Sequence, residues 1–451
     1  MKVFNSLSRQ VEEFKPAEGD TVRFYTCGPT VYNYAHIGNF RAYAFEDVLR
    51  RVIKFNGMKV RQVMNLTDVD DKTIKGALVS GLKLRDYTKT YKDAFFADLK
   101  KINIESAEVY PAATDHIAEM IALVEKLVEK GVAYQSEDKS VYFKVREFPG
   151  YGKLAHIDFD NQRTGSRCAA DEYDKENVGD FALWKAWEPS DGDVWWDSPW
   201  GKGRPGWHIE CSAMAMKYLG ETFDLHTGGI DNLFPHHENE IAQAEAATGK
   251  PFVGTWMHCA HLRVNGQKMS KSLGNFFTLR DLMEKGFTGR EIRYVLVNAH
   301  YRSALNFAFD ALEDARKALQ RIDECVGNAS EGVVPEWAEK HLESFAAAVN
   351  DDLNMPKAFA ALFELVRETN SKGGNGVLGV FKRMDEVLGV IFFDKPKEIS
   401  VPENVQKLLE ERAKARLEKD YTRSDALRDE IAKLGWTVKD SKDGQKCTLK
   451  I

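Results

Sequence analysis

Residues 22–27 (VRFYTC) read as a short buried strand, and a second apolar run follows from Lys59 to Asn65. Between them lies a helical pattern from about Gly38 to Asn56, with Ala44, Val48, Leu49, Val52 and Phe55 on one face. Gly57 supplies a C-terminal stop. Strand, helix and strand within some 45 residues make a βαβ unit, hence parallel strands joined by a right-handed crossover. No other feature narrows the possible folds so far. Ligands of such sheets bind beyond the carboxyl ends of the strands. Cys27 to Asn39 and Thr67 to Asp71 fall there.

Helical patterns fill roughly 84–131. Between Gly131 and Gly206 the texture changes to short strands and turns with a dense aromatic tract. Six of the nine tryptophans lie between 184 and 207 (Trp184, Trp187, Trp195, Trp196, Trp200 and Trp207), which predicts a well-packed wall in an inserted module. The βα pattern resumes with a helix from Trp207 through Met216, a strand at Thr222 to His226 and a helix from near Pro235 to Gly249. One helix is expected over Leu279 to Asn298, and amphipathic helices over 308–327, 336–350, 356–372 and 377–389. A linker at Lys395 to Pro402 precedes a small last unit of two helices and a strand edge at Trp436 to Ile451.

A chain of 451 residues exceeds one compact core and predicts two to four domains. Six scattered cysteines without a C-x-x-C pair exclude a disulfide framework and leave reduced thiols, a few of them available to a metal. Met1 to Phe14 carries no signal-like apolar run and no later stretch is long enough for a membrane helix, so the expected location is cytoplasmic. A net charge of −6 makes no global case for nucleic acid. The tail, residues 405–451, holds 12 Lys/Arg against 9 Asp/Glu, a surplus that a solvated helix face of mixed charge also explains.

Three segments carry candidate chemistry. His36-Ile37-Gly38-Asn39 stands where strand hands over to helix, and a helix N-terminus with unpaired N–H groups is a natural seat for phosphate. Gly38 lets a nucleotide approach the backbone; taken alone, the same residues also read as a helix cap. Almost 230 residues later comes Lys268-Met269-Ser270-Lys271-Ser272, bordered by Gly266 and Gly274. Two ammonium groups there would gather around a triphosphate as charge develops on departing pyrophosphate, whereas read alone the segment is a solvated loop. No Walker A sequence occurs. Gly201 to Gly206 matches the dinucleotide fingerprint in form, but a Trp/Pro/Asp-rich stretch precedes it instead of a clean strand.

The third segment is split between Trp207-His208-Ile209-Glu210-Cys211 and His236-His237-Glu238-Asn239-Glu240. His236 and Glu240 are four apart and share a face on a helix. A protease-type H-E-x-x-H would need histidine where Ile241 stands, so that reading fails. Cysteine, histidine and carboxylate all suit zinc. Buried cysteines and a histidine at a helix start also occur without metal, and spacing leaves both open.

The His36 and Lys268 segments, in this order, resemble the paired signatures of class I aminoacyl-tRNA synthetases. The Cys, His and Glu residues narrow the resemblance to cysteinyl-tRNA synthetases. It extends over 23–40, N-L-T-D-V-D-D-K at 65–72, 203–214, 223–243 and 268–277, while the helical bundle and last unit agree in type and order. It implies one zinc ion per chain held by Cys27, Cys211, His236 and Glu240, and catalytic roles for His36, Asn39, Lys268 and Lys271. It also implies contacts of Gly38, Asp231, Ser270 and Lys271 with ATP, and of Gly28, Thr67, Trp207 and His226 with the amino acid. The family motif commonly ends in histidine where this chain has Asn39, which keeps a neutral donor and loses the ring and any positive charge.

The implied fold class is α/β: a Rossmann-like parallel-sheet catalytic domain with an insertion, an α-helical bundle and a small C-terminal mixed α/β unit. The implied boundaries are 1–118 and 205–250 for the two catalytic halves, the second with the zinc site, and 119–204 for the insertion. The lysine loop and a stem-contact region occupy 251–309, a bundle of anticodon-binding type 310–400, and an anticodon-recognition unit 401–451. The implied reaction joins L-cysteine and ATP, with magnesium, into cysteinyl-adenylate and pyrophosphate. The cysteinyl group then passes to the 3′ end of tRNA(Cys), in a monomer without membrane contact. Cysteine and serine differ by one atom, a difference hydrophobic pockets resolve only about 10–200-fold; a soft cation separates them more sharply. The rival readings are a cysteine ligase of mycothiol biosynthesis, which lacks the need for residues 310–451, and a non-catalytic zinc- and nucleotide-binding paralogue.

Overall fold

The computed structural model describes residues 1–157, 179–269, 273–394, 402–441 and 444–449. They form two compact units, Met1–Phe393 and Asp394–Ile451. In the first, an antiparallel hairpin, β1 (Lys2–Asn5) and β2 (Gln10–Glu13), leads into β3 (Thr21–Thr26), α1 (Ile37–Phe55) and β4 (Lys59–Met64). This is the expected βαβ unit, with β3 and β4 parallel from Thr21↔Lys59 to Thr26↔Met64. The apolar stripe of α1 is buried as its periodicity requires. Its opposite side is buried too, because Arg51 and Arg293 both pair with Asp47 there, at 2.7 and 2.6 Å.

Helices α2 (Asp71–Ser80), α3 (Leu84–Lys101) and α4 (Ile117–Glu129) follow. The inserted module is an antiparallel sheet of β5 (Ala133–Gln135), β6 (Val141–Phe143), β7 (Phe181–Ala186) and β8 (Gly203–Pro205). The fingerprint-like glycines therefore border an antiparallel strand, which offers no dinucleotide crevice. The tryptophan wall is packed only in part: Trp184 is buried, whereas Trp187 is 40% exposed and Trp195 lies under the Lys202 ammonium at 3.5 Å.

The parallel sheet is completed by α5 (Trp207–Leu219), β9 (Phe223–Gly229), α6 (Glu238–Thr248) and β10 (Val253–Cys259), in the order β10-β9-β3-β4. All four strands run parallel, with β4 added on one side of β3 and β9 on the other, so a crevice opens where β3 and β9 end, the place where α/β sheets take ligands. A second small sheet holds β11 (Leu262–Val264), β12 (Gln267–Lys268) and β13 (Leu305–Phe307). The single helix expected at 279–298 is two, α7 (Leu279–Glu284) and α8 (Gly289–Val297). Gly286 has φ +87°, and Thr288 caps the second helix by accepting from the Glu291 N–H.

Four helices end the first unit: α9 (Phe309–Gly327), α10 (Glu336–Val349), α11 (Met355–Lys372) and α12 (Leu378–Leu388), close to the expected spans. Their buried faces join the core of the parallel sheet. Of the expected linker, 395–401 lies outside the described residues. The second unit packs α13 (Glu403–Leu417) and α14 (Tyr421–Lys433) with a hairpin, β14 (Trp436–Ser441) and β15 (Gly444–Leu449), around Val405, Ile431, Trp436 and Val438. Its strand edge is thus a full hairpin. No helix among the described residues is long and apolar enough to cross a membrane.

Candidate active site and metal centre

Cys27 continues β3 and stays in register with β9, its N–H donating to the Thr227 carbonyl at 3.3 Å. The chain must then pass tightly over β4. A Cβ on Gly28 would lie 1.8 Å from the Asn65 carbonyl oxygen, so only glycine fits. The Gly28 N–H donates to the Asn65 side chain at 2.9 Å, and the Asn65 amide donates to the Thr67 hydroxyl at 3.2 Å. Thr67 passes its own hydrogen to the buried Glu210 carboxylate at 2.9 Å.

Four buried groups converge behind this turn. The ligand atoms of Cys27, Cys211, His236 and Glu240 all lie within 4.8 Å of one another. Cys211 comes from the first turns of α5. His236 comes from a π-helical turn, Leu233–His237, that precedes α6 and contains an extended residue, Phe234. The regular helix expected to start near Pro235 therefore begins at Glu238, yet His236 still meets Glu240 at 3.1 Å. Burial pushes both thiols up and the Glu240 carboxyl up to about 8, and it pushes His236 down to about 3. All four are therefore uncharged near neutral pH, with their ligand atoms gathered close together. A divalent cation would offset that burial penalty, favouring thiolate, carboxylate and neutral imidazole together. Two sulfurs, one nitrogen and one oxygen are a donor set suited to zinc.

A second set, Cys27, His226, His237 and Glu240, converges within the same limit. Hydrogen bonds support members of both sets. His226 Nε2 meets the other Glu240 oxygen at 2.9 Å, and His208 Nδ1 meets His236 Nδ1 at 2.9 Å. Such outer partners orient metal ligands, and His237 of the second set has one in His258 at 2.9 Å. His226 also stacks on Trp256, with ring centres 4.6 Å apart. Trp207, the first residue of α5, stacks on His236 at 4.2 Å. Trp207 thus lies against the cluster of converging side chains. Gly28 lines an adjoining cavity, Thr67 reaches Glu210, and His226 buttresses Glu240.

A cavity of about 400 Å³ adjoins the cluster, lined among others by Cys27, His36, Gly38, Asn39, Asp231 and Lys268. Asp231 is exposed at its rim. A Cβ on Gly38 would meet the Met269 methyl at 2.6 Å, so the absent side chain lets the lysine-bearing segment close over the helix start. His36 and Asn39 form a reciprocal cap: the Asn39 N–H donates to His36 Nδ1 at 3.2 Å, and the His36 N–H donates to Asn39 Oδ1 at 3.1 Å. Burial holds His36 below its ordinary pKa, and Asp231 opposes that shift. Neutral, with Nδ1 accepting, the ring carries its proton on Nε2. Capping and ligand contact are thus compatible at His36, and Asn39 is shaped for the cap. Ser270 and Lys271 lie outside the described residues.

Sequence reasoning missed the outer histidines. His237 Nε2 lies 3.2 Å from the Cys27 sulfur, its Nδ1 lies 2.9 Å from His258, and His258 reaches the Ser6 hydroxyl at 2.7 Å. The available signal was density, since five of the eleven histidines fall between 208 and 258.

A parallel sheet with a nucleotide-sized cavity at its switch point is the catalytic architecture of class I aminoacyl-tRNA synthetases, and known proteins agree. Residues 13–317 match the model of the tRNA synthetases class I (C) catalytic domain, 344–393 the DALR domain, and 400–447 the cysteinyl-tRNA ligase anticodon binding domain. A cysteine–tRNA ligase of Protochlamydia amoebophila is 51% identical over 463 residues, covering 98% of this chain and 97% of its own. One from Chlamydia caviae is 49% identical over 464 residues, with the same coverage. The solved Mycobacterium tuberculosis methionyl-tRNA synthetase, in complex with methionyl-adenylate, shares the fold. Its TM-score is 0.59 at 14% identity, over 83% of this chain and 89% of that one. The chain belongs to the cysteinyl-tRNA synthetase family, whose members are ligases.

Proposed function

We propose that the site activates L-cysteine with ATP and magnesium to cysteinyl-adenylate and pyrophosphate, and passes the cysteinyl group to a hydroxyl at the 3′ end of tRNA(Cys) as AMP leaves. The observation that carries this reading is the convergence of Cys27, Cys211, His236 and Glu240 within 4.8 Å beside a cavity that Cys27 also lines. These four would hold one zinc ion. Bound there, zinc supplies a soft Lewis acid that favours a thiolate over an alcohol. The remaining work belongs to the protein. Gly28 and Thr67 bound the amino-acid seat and Trp207 walls it, which sets the substrate carboxylate toward the nucleotide. His226 holds Glu240 in place. The start of α1, with Gly38 lining the cavity and the His36 Nε2–H as donor, receives the phosphates. The carboxylate oxygen bonds to the α-phosphorus as the bond to pyrophosphate breaks. Lys268, with Ser270 and Lys271 of the same segment, stabilises the charge on that leaving group, and Asp231 contacts the nucleotide side.

The matches at 344–393 and 400–447 favour the tRNA reading over a cysteine ligase acting on a small amino-sugar. The bundle at 310–400 and the unit at 401–451 would meet the anticodon arm, in a cytoplasmic monomer. Cysteine-dependent exchange of labelled pyrophosphate into ATP, with serine as comparison, tests the activation step. Zinc-loaded protein that exchanges nothing would sink it and favour a non-catalytic paralogue.

A further inference from the structure

The segment from Gly28 to His36 joins the amino-acid seat to the nucleotide seat. Its first half is fastened to the sheet edge, with the Val31 N–H donating to the Thr67 carbonyl at 3.0 Å. Its far end is fastened beside α7, where His36 pairs with Thr278 and the Ile37 N–H donates to the Phe277 carbonyl at 2.9 Å. Between these anchors Tyr32 and Tyr34 stand 37% and 38% exposed. Two large rings held out to water on a short, doubly tethered segment form a surface ready for a ligand.

Each ring faces a cation brought by a different helix. The Lys72 ammonium of α2 lies 5.6 Å from the Tyr32 ring centre, and the Arg280 guanidinium of α7 lies 4.5 Å from that of Tyr34. Lys72 is exposed and makes no ion pair among the described residues. Arg280 reaches Asp98 at 3.4 Å, and its Nε is buried without a hydrogen-bond partner. Behind them Tyr91 meets Tyr34 edge-on at 5.4 Å and Tyr87 at 5.2 Å. The Tyr87 hydroxyl donates to the Tyr32 carbonyl at 2.7 Å, so α3 fixes the platform in position.

Aromatic faces paired with basic groups are how proteins hold single-stranded nucleic acid: rings stack on bases and cations meet phosphates. We propose that Tyr32 and Tyr34, with Lys72 and Arg280, seat the unpaired 3′-terminal nucleotides of the acceptor RNA. The inference rests on the tRNA ligase reading above. A terminal ribose hydroxyl must reach a carbonyl carbon held between Cys27 and His36, and the outer side of the segment spanning those residues is the short approach.

The test is a binding cycle. Wild type, the Tyr32→Ala/Tyr34→Ala double variant and the Tyr32→Phe/Tyr34→Phe double variant are each titrated with tRNA(Cys), intact or stripped of its unpaired 3′ nucleotides. Stripping should weaken the wild type by roughly 5- to 150-fold per stacked base. The alanine variant should bind intact RNA that much more weakly and stripped RNA as the wild type does, and the phenylalanine variant should match the wild type. Equal weakening toward both RNAs, or none toward either, would overturn the seat. Lys72→Ala, at an exposed position, supplies an independent reading: the salt slope of intact-RNA binding should fall by about one. An unchanged slope would remove the phosphate contact and count against the proposal. Pyrophosphate exchange by the wild type needs no RNA, so its absence would overturn the ligase reading and leave the binding cycle to judge the seat.

Discussion

Cys211→Ser tests the metal cluster most directly. Cys211 is 1% exposed, with the Cys27 thiol and the Tyr25 hydroxyl beside it, so serine places a smaller polar group where another can meet it. The cost to the metal-free fold should stay within roughly 1–3 kcal/mol, that of one imperfectly satisfied buried polar group. The cost to metal binding should be larger. A four-ligand zinc site is worth about 10–16 kcal/mol, and an equal share is about 2.5–4 kcal/mol per ligand, or roughly two to three orders of magnitude in affinity. At free zinc 100 times the wild-type dissociation constant, wild type gains about 2.7 kcal/mol of stability. The variant at the same concentration should gain less than about 0.5 kcal/mol. Competition against a chromophoric chelator measures the affinity, and melts with and without zinc measure the linkage. Stoichiometric zinc at wild-type affinity in the variant would strike Cys211 from the ligand set. Should His237→Gln then release the metal, the second set of converging residues would take its place.

Burial raises the Glu46 carboxyl to about 8, with one oxygen accepting from the Thr227 hydroxyl at 3.0 Å and the other without a partner. The folded protein therefore keeps a proton that the unfolded chain releases above about pH 4.5. The stability linked to Glu46 is fully present below that pH and is lost as pH rises through about 8. Glu46→Gln should lack this slope and gain on wild type by an amount on the order of a few kcal/mol between pH 5 and 9, read from urea unfolding; parallel pH profiles would refute it. At the start of α1, Asn39→Ala removes the acceptor for the His36 N–H and should cost about 0.5–2 kcal/mol in the same assay. Asn39→Asp keeps the acceptor and should lose little, and equal losses in the two variants would refute the capping role.

Local pattern carried much of the fold. The βαβ unit and the amphipathic helices of the bundle fall near their expected spans because a periodic apolar face is written within one or two turns of chain. Breaks were harder to read. From Leu279 to Asn298 apolar residues recur at helical spacing on both sides of the break, and only a positive-φ glycine and a capping threonine divide the stretch. The tryptophan tract misled in part, since Trp187 belongs to the same local composition as Trp184 and differs only in what packs over it.

The site divides along the same line. Residue order alone supplied the helix-start histidine and glycine, the lysine segment and the resemblance they carry, because those signals are contiguous. Whether Cys27, Cys211, His236 and Glu240 meet is a matter of strand order and of one π turn. Adjacency of β3 and β9 and the approach of α5 to α6 bring side chains up to 213 positions apart into a single buried pocket. The outer histidines arise the same way, from hydrogen bonds between separate strands and turns. Spacing in a chain encodes what neighbours can do; the protonation and partners of a buried group depend on which distant segments exclude water around it, and that is decided only in the folded molecule.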